Sequence, residues 1–369
     1  MIIFHHPLPI KINGNSGSQV RPERILDAFR QLGYQVEVVS GYVWERQKDI
    51  KRIKSKIRDG WRPSCIYSES STMPTLLTEP HHFPIQPFLD FGFFKWAKHM
   101  GIPIGLFYRD VHWRFAYYQK NVHWLKRTVS IPFYHYDWFQ YTRLVDHLFL
   151  PSLMMKRALP SDWPDAKMSA LPPGCNIHST DYSNYEGIGA PKIRLLYVGG
   201  VTPPLYDLRD MVSVACTLPE VELTIICRAD EWRVVKGLYG CCSENVKIVH
   251  TSGDDLKNYY SCTDLFILMR APHQYLDFAM PVKVFEALGH GVPIITTSGT
   301  AVARFVEEEN LGWVVASARE LRLLLNNLKV NPNLIAEKRE LVKKIRHRHT
   351  WQARASQVIA TLCAKGCTK

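Results

Sequence analysis

Residues 278–297, Phe-Ala-Met-Pro-Val-Lys-Val-Phe-Glu-Ala-Leu-Gly-His-Gly-Val-Pro-Ile-Ile-Thr-Thr, carry the clearest structural signal in the sequence. They predict an apolar helix followed directly by a buried strand. Pro281 suits the first helical position, because its missing N–H would have no partner there. Gly289 or Gly291 ends the helix in a left-handed conformation, and Pro293 prevents its continuation. The apolar and β-branched residues that follow predict a core strand.

Two charged side chains on this apolar helix indicate a nucleotide site. The helix dipole disfavours a cation such as Lys283 in the first turn unless an anion is present, and helix N-termini bind phosphate through free N–H groups. Glu286 follows three residues later on the same face, where its carboxylate is able to accept two hydrogen bonds from a ribose diol. A second interpretation stays open: an ordinary i,i+3 ion pair, which stabilises a helix very little.

The same stretch resembles the nucleotide-sugar site of GT-B glycosyltransferases, especially the family 4-like enzymes of glycosyltransferase group 1. In that family, a Pro-x-Lys-x-x-Glu or Glu-rich helix runs into Ala-x-x-x-Gly-x-Pro-[Val/Ile], which is Ala287 to Ile294 in this sequence. The resemblance implies transfer of a hexosyl or related group from a nucleotide-diphosphate sugar to a hydroxyl acceptor. It also implies that the reaction needs neither a cofactor nor a metal.

Predicted strands and helices alternate along both halves of the chain. Strands are predicted at 2–5, 36–40, 64–68, 103–108, 145–151, 193–198, 222–227, 246–250, 265–269 and 294–297, and helices at 21–32, 87–99 and 207–217. This alternation predicts an α/β fold with two Rossmann-like, doubly wound parallel-sheet domains. In the GT-B plan these domains face a cleft, and the C-terminal helix crosses back to the N-terminal domain.

Pro, Gly, Ser and Asn dominate the sequence between the two halves, which indicates a linker. We therefore predict an acceptor-binding domain at 1–172, a linker at 173–191 and a nucleotide-sugar-binding domain at 192–349. The crossover helix is predicted at 350–369, where the region of Trp351 resembles that of the family. A simpler interpretation, in which Trp351 packs only on the second domain, stays open.

The resemblance implies further donor-binding residues, which are Gly199, Gly200, Arg228, Asp277, Phe278 and Met280. The sequence departs from the family at two places. Many family 4 enzymes have a second Glu eight residues before the helix Glu; Phe278 stands there, and Asp277 is one position off. The usual Arg and Lys after the glycine turn are also missing. Arg228 is therefore predicted to share the diphosphate charge with Lys283, and a retaining mechanism is not implied.

The N-terminal half contains candidates for catalysis and for anion binding. Asp110 and His112 follow a predicted strand, and strand ends are where such sheets place functional groups. We expect Asp110 to act as general base on the acceptor and His112 to orient a substrate. The alternative is an Arg109–Asp110 ion pair with His112 packed beside Trp113.

A glycine-containing loop at 13–21 follows the first predicted strand. Its sequence is neither GxGxxG nor a P-loop, which argues against dinucleotide or ATP binding. In GT-B enzymes this loop faces the cleft, so Gly17, Ser18 and Arg21 are predicted to lie there together with Arg109. Arg21 is the candidate anion contact, and an exposed arginine at a helix start is the alternative.

The chain is basic, with a formal net charge of +12, and is compatible with phosphorylated substrates, an anionic membrane or nucleic acid. Residues 48–58 predict an amphipathic helix with a cationic face. Between Trp113 and Tyr141, aromatic residues alternate with Arg and Lys. Packing of these rings into the domain is the simplest interpretation. Given the family, docking on anionic lipid is favoured over single-stranded nucleic acid as the alternative.

Cysteine and histidine usage predicts a reduced protein without a structural metal. The nine cysteines contain no CxxC pair, and no histidine has a zinc-site spacing. No run approaches the roughly 20 apolar residues that a spanning helix needs, and the N-terminus lacks the features of a signal peptide. We expect a cytoplasmic protein that contacts the inner face of the plasma membrane, with a glycan or lipid-linked acceptor.

Two rival functions stay open at this point. A GT-B-fold nucleotide-sugar epimerase would form product without any acceptor. A non-enzymatic single-stranded nucleic-acid-binding protein would bind with a steep salt dependence and would not respond to a nucleoside diphosphate.

Overall fold

The computed structural model describes residues 1–12, 14, 17–179, 192–240 and 243–363. These residues form two compact units of parallel α/β structure. Unit 1 comprises residues 1–173 together with the segment that begins at Trp351, and unit 2 comprises residues 174–350. The second part of the predicted linker, 180–191, lies outside the described residues. In the first part, Cys175 N–H donates to His349 and His178 N–H to Gly289, so this segment is packed onto unit 2.

Unit 1 is built around a six-stranded parallel sheet with the order β2-β1-β3-β4-β5-β6. The strands are β1 Ile2–His6, β2 Val36–Ser40, β3 Cys65–Glu69, β4 Ile104–Phe107, β5 His147–Leu150 and β6 Met168–Ala170. The helices are α1 Gly17–Gln31, α2 Val43–Arg58, α3 Leu89–His99, α4 Ala116–Asn121 and α5 Trp124–Leu144. Every residue of β1, β3, β4 and β5 is buried, as expected for strands covered on both faces.

Unit 2 also contains a six-stranded parallel sheet, with the order β12-β11-β10-β7-β8-β9. The strands are β7 Ile193–Val198, β8 Val221–Ile226, β9 Val246–Val249, β10 Leu265–Leu268, β11 Ile294–Thr297 and β12 Gly312–Val315. The helices are α6 Arg209–Cys216, α7 Ala229–Val235, α8 Leu256–Ser261, α9 Val282–Gly289, α10 Ala301–Glu308, α11 Ala318–Val330 and α12 Asn333–Ile345. One continuous apolar core joins these elements.

The last described helix, α13 Trp351–Cys363, belongs to unit 1. Arg354 Nε donates to the carbonyl of Pro173. Leu362 packs against Gly105 of β4 so closely that a Cβ added to Gly105 would lie 2.8 Å from Leu362 Cδ1. Trp351 is 4% exposed at the start of this helix. The predicted fold class, two Rossmann-like parallel-sheet domains with a C-terminal helix that returns to the first, is confirmed.

Each sheet has a point where the strand order reverses, and ligands bind at such points beyond the carboxyl ends of the strands. In unit 1 the reversal lies between β1 and β3, and in unit 2 between β7 and β10. The loops and helices that follow these four strands are therefore the places to look for functional groups.

The structure corrects several predicted boundaries. Helix α1 begins at Gly17 rather than Arg21, so Gly17 and Ser18 lie in its first turn and not in a loop. Pro281 is the N-cap of α9 rather than its first helical residue. Gly291, with φ +74°, is the left-handed residue after that helix. Strands β6 and β12 were not predicted, because each is short and packs at the edge of its sheet.

Within the described part of the chain, none of the helices has both the length and the hydropathy required to span a bilayer.

Candidate functional site

The glycine turn after β7 opens the candidate donor site of unit 2. The hydroxyl of Tyr197 donates to the carbonyl of Gly200 at 2.7 Å, which fixes the turn. A Cβ on Gly200 would lie 2.6 Å from the ring of Tyr206, so only glycine fits there. Gly199 and Gly200 directly follow β7, at the reversal point of the sheet, where the resemblance implies the glycine turn of the donor domain.

Helix α9 follows β10 and presents Lys283 and Glu286 side by side. The Lys283 Nζ lies 2.8 Å from Glu286 Oε2 and 3.0 Å from Oε1. The two side chains keep 30% and 29% of their surface exposed, so both charges remain accessible to solvent. The ion pair of the simpler interpretation is thus present, and a ligand with a phosphate and a diol would have to exchange it for its own contacts.

Glu286 is held in place by a residue that the sequence did not single out. Tyr260 of α8 is 1% exposed, and its hydroxyl donates to Glu286 Oε2 at 3.1 Å. Burial and the Glu286 carboxylate raise the pKa of Tyr260 well above its usual value, so this hydroxyl stays protonated and donates. Its ring stacks on His290 with centroids 4.9 Å apart. Tyr260 thus orients the Glu286 carboxylate through Oε2, while Oε1 contacts only the exchangeable Lys283 ammonium among the described residues.

Replacing Tyr260 by phenylalanine should weaken donor binding through Glu286 alone. We expect a rise of about three- to tenfold in the donor KM and little change in kcat, because one hydrogen bond of roughly 1 kcal/mol is lost. Tyr259→Phe is the matched control, since no described side chain hydrogen-bonds to its hydroxyl. Equal KM values for the two variants would remove Tyr260 from the site.

Arg270 is a second residue that sequence reasoning missed. It follows β10 at the reversal point, and its guanidinium lies 5.7 Å from the centroid of the Tyr206 ring beside the glycine turn. The Arg270 guanidinium forms no ion pair with a carboxylate of the described residues. The backbone N–H of Arg270 donates to Thr297 Oγ1 at 3.1 Å. Arg270 is therefore available to neutralise an anion next to Gly200. Its place just after a predicted strand was the available signal.

The other predicted donor residues occupy different surroundings. Asp277 lines a small pocket with Arg270 and His273, and burial raises its pKa. Phe278 is 6% exposed and contacts Tyr275 edge-on at 5.9 Å, as a core side chain does.

Met280 and Arg228 likewise contact groups other than Lys283. Met280 packs against the apolar core of unit 2. The guanidinium of Arg228 pairs with Glu231 and is 76% exposed. Its charge is thus already partly compensated, whereas that of Arg270 is not, which makes Arg270 the better substitute for the missing family cations.

In unit 1, Asp110 and His112 are in direct contact after β4. Asp110 Oδ1 accepts from the backbone N–H of His112 at 3.0 Å, and Oδ2 lies 3.3 Å from its Nδ1. The His112 ring meets Tyr118 and Tyr134 edge-on, and the Tyr134 hydroxyl is 3.4 Å from Nε2. Both side chains are partly exposed, at 14% for Asp110 and 21% for His112. A carboxylate and an imidazole so arranged are able to share a proton taken from a hydroxyl.

The alternative Arg109–Asp110 ion pair is wrong. Arg109 Nη2 instead contacts Glu69 Oε2 at 3.0 Å, and its Nε donates to the carbonyl of Ser70. Arg21, predicted as an anion contact or an exposed helix-start residue, is 2% exposed and pairs with the same carboxylate at 2.9 Å. The alternative of an exposed arginine is therefore also wrong, because the Arg21 guanidinium pairs with the buried carboxylate of Glu69.

The aromatic-basic stretch is divided between core and surface. Trp113 stacks on Tyr134 at 5.1 Å, and Tyr118, Trp138 and Tyr141 are buried as well. These rings follow the simpler interpretation of packing. At the start of α5, however, Trp124 is 59% exposed, Leu125 53% and Val129 54%, next to the exposed Lys120 and Lys126. We call these five residues the α4–α5 corner.

No group of three or more metal-ligating side chains occurs among the residues that the structure describes.

Comparison with known proteins shows which family and which solved structures the chain is similar to. Residues 208–360 match the model of a family described as glycosyl transferase-like. No curated protein is significantly similar in sequence. Sucrose-phosphate synthase from Thermosynechococcus elongatus shares 14% identity, with 100% of each chain covered and a TM-score of 0.61.

Two further solved structures are similar over nearly their whole length. HepE of Anabaena in complex with UDP-glucose shares 13% identity over 99% of this chain and 100% of its own, with a TM-score of 0.62. A glycosyltransferase from Rickettsia africae shares 10% identity over 100% and 99%, with a TM-score of 0.62. These structures confirm the predicted two-domain GT-B fold, and the match over 208–360 agrees with the resemblance to glycosyltransferases of group 1.

Proposed function

We propose that the protein transfers a sugar from a uridine-diphosphate sugar to a hydroxyl of a lipid-linked glycan during synthesis of a surface polysaccharide. The observation that carries this proposal is the pairing of Lys283 and Glu286 on α9, with Tyr260 orienting the carboxylate. Uridine is favoured because HepE, which has the same fold, was solved with UDP and with UDP-glucose. The transferred group is a hexose or a related sugar.

The donor is held by unit 2 in this proposal. The N-terminus of α9, Lys283 and Arg270 neutralise the diphosphate, while Glu286 accepts hydrogen bonds from the two ribose hydroxyls. As the bond between the sugar C1 and the phosphate oxygen breaks, negative charge grows on the diphosphate. Fixed cations stabilise that charge more in the transition state than in the bound donor, so no resident metal or cofactor is required.

Unit 1 supplies the base. Asp110 takes the proton of the acceptor hydroxyl as its oxygen forms the new bond to C1, and His112 steadies the carboxylate through its backbone N–H. The products are the extended glycan and a nucleoside diphosphate.

The first test is a thermal-shift panel with uridine, guanosine, thymidine and adenosine diphosphates. Uridine diphosphate at 100 times its Kd should stabilise the protein by about 2.7 kcal/mol. In Lys283→Ala at the same concentration, a Kd raised 10- to 100-fold should reduce the stabilisation to between about 1.4 and 0.4 kcal/mol. A panel in which none of the four nucleotides raises the Tm would contradict the proposal, and product formed from the donor without acceptor would indicate an epimerase instead.

The acceptor side of the proposal rests on the α4–α5 corner. Trp124, Leu125 and Val129 expose large apolar surfaces, and Lys120 and Lys126 place two cations beside them. Tryptophan and lysine in this combination favour the headgroup region of an anionic bilayer. We therefore place the protein in the cytoplasm, on the inner face of the plasma membrane.

Vesicle binding tests this placement. Trp124→Ser combined with Leu125→Ser should lower the fraction of protein that sediments with vesicles containing anionic lipid by about tenfold. Val330→Ser, at a residue of unit 2 that is 76% exposed, is the control. Equal sedimentation of the double variant and the control would exclude the corner as the membrane contact.

A further inference from the structure

Two arginines converge on one buried glutamate in unit 1, at the carboxyl end of β3. Glu69 is 0% exposed. It accepts from Arg21 Nε at 2.9 Å, from Arg109 Nη2 at 3.0 Å and from the Tyr67 hydroxyl at 2.9 Å. The proposed reaction uses none of these four groups.

The cluster leaves guanidinium donors without partners. Arg21 Nη1 is buried and has no hydrogen-bond acceptor. The side-chain hydrogen bonds of Arg109 among the described residues are made by Nε and Nη2, and its side chain keeps 11% of its surface exposed. Phe107 holds the Arg21 guanidinium against its ring, at 3.5 Å from the centroid. Buried charged donors rarely stay unpaired in folded proteins, because the cost of desolvation is not recovered.

No neighbouring group supplies the missing acceptor. His6 interacts electrostatically with Arg109 and Glu69, and burial lowers its pKa to about 4, so it is neutral at physiological pH. Asp110 directly follows Arg109 and interacts with it electrostatically, but its carboxylate oxygens contact His112. Glu69 is therefore the carboxylate with which both arginines pair. Among the described residues, Arg21 Nη1 has no acceptor, and the Arg109 hydrogen bonds use only Nε and Nη2 of its side chain.

The position of the cluster is that of a binding site. β1 and β3 are the strands between which the order of the unit 1 sheet reverses, and Glu69 is the last residue of β3. Ligands of such sheets bind at this point. Arg109 also directly precedes the proposed base Asp110, and the two side chains interact electrostatically.

We propose that Arg21 and Arg109, held in place by Glu69, form an oxyanion receptor for a phosphate group of the acceptor. Guanidinium groups match the geometry and charge of phosphate oxygens, and Glu69 sets their orientation before the ligand arrives. The inference rests on the proposed glycosyl transfer and narrows the acceptor to a phosphorylated molecule. Its phosphate belongs either to a prenyl-linked lipid or to a soluble phosphorylated sugar.

Binding of inorganic phosphate tests the receptor without reference to turnover. The titration is carried out calorimetrically on the full chain with Lys283→Ala, which removes the main phosphate contact of unit 2. Arg109→Gln in that background should raise the phosphate Kd by about tenfold or more, as expected for a lost charge-assisted hydrogen bond. The phosphate Kd of Arg109→Lys should lie between that of the unsubstituted Arg109 and that of Arg109→Gln, since lysine keeps the charge but lacks the planar guanidinium.

Arg143→Gln is the matched control, because Arg143 also lies over a phenylalanine ring, Phe139, at 4.1 Å and belongs to the same unit. It should leave the phosphate Kd unchanged. A second titration with geranyl phosphate separates the two sources. A lower Kd for geranyl phosphate than for inorganic phosphate supports a lipid-linked acceptor, and equal Kd values support a soluble phosphorylated acceptor.

The receptor is overturned if phosphate does not bind, or if Arg109→Gln and Arg143→Gln bind it equally. Uridine diphosphate binding to the chain with Lys283 intact is measured in parallel. If that nucleotide binds normally while phosphate fails, only the receptor is wrong; if the nucleotide also fails, the proposed glycosyl transfer is wrong.

Discussion

Lys283→Ala is expected to weaken binding of the nucleotide-sugar donor by about 10- to 100-fold and to lower kcat/KM at least as much. Loss of one charge-assisted contact to a phosphate has this magnitude. The effect on kcat should be as large as on binding, because the cation acts mainly on charge that develops as the diphosphate leaves. Donor titration and steady-state kinetics measure the two effects separately.

Folding, by contrast, should be nearly unaffected. The Lys283–Glu286 pair is an i,i+3 contact between side chains that are about a third exposed, and such pairs contribute less than about 0.5 kcal/mol. Lys257→Ala provides a matched control, since Lys257 forms the same kind of i,i+3 pair with Asp254 in unit 2 at 2.7 Å. It should cost similar stability and leave donor binding intact. If the two variants lose activity to the same extent, Lys283 has no special role.

The donor helix was predictable because its evidence is local. The spacing of Lys283 and Glu286 puts both on one face of any helix, and proline and glycine mark its ends. Strand positions were predictable for the same reason, since buried parallel strands are short apolar runs. Apart from the unpredicted edge strands β6 and β12, the predicted strands differ from the observed ones by at most two residues at either end, and α1 begins four residues earlier than predicted.

Partners that are distant in sequence were not predictable. Tyr260 reaches Glu286 from another helix, and Glu69 reaches Arg21 and Arg109 across 48 and 40 positions. Such pairings depend on strand order, which alternation alone does not specify. The alternative in which Arg109 pairs with the neighbouring Asp110 is wrong for this reason, because the sheet brings the buried Glu69 carboxylate of β3 to within 3.0 Å of Arg109 Nη2.

Arg270 shows how a departure from a family pattern is compensated in space. The sequence has no cation directly after the glycine turn, where Val201 to Leu205 stand. Because β7 and β10 are adjacent strands, the residue two positions past β10 lies beside that turn. A cation from a neighbouring strand thus occupies the region that a cation of the turn would occupy in the family. Arg270→Gln is informative for this reason beside Lys283→Ala.

Asp110→Asn is expected to reduce turnover by about 100- to 10,000-fold while the donor Kd stays unchanged. A positioned general base contributes rate enhancement of this size, and asparagine cannot take up the proton of the acceptor hydroxyl. The substitution is nearly isosteric, and the amide oxygen still accepts the backbone N–H of His112, which Asp110 Oδ1 accepts at 3.0 Å. Loss of turnover therefore cannot be assigned to a rearranged loop. Single-turnover kinetics at saturating donor measures the chemical step.

Asp165→Asn is the control, because Asp165 is a carboxylate of unit 1 that is 75% exposed and pairs only with Lys156 at the surface. It should retain normal turnover. The turnover of His112→Ala should lie between the turnovers of Asp110→Asn and Asp165→Asn. The base Asp110 remains in this variant, but it loses the imidazole 3.3 Å away that would help to carry the proton. If Asp110→Asn turns over at a near-normal rate, the proton must leave by another route, and the contact between Asp110 and His112 is structural. The donor site in unit 2 would be untouched by that result, because Lys283, Glu286 and Tyr260 make no use of Asp110.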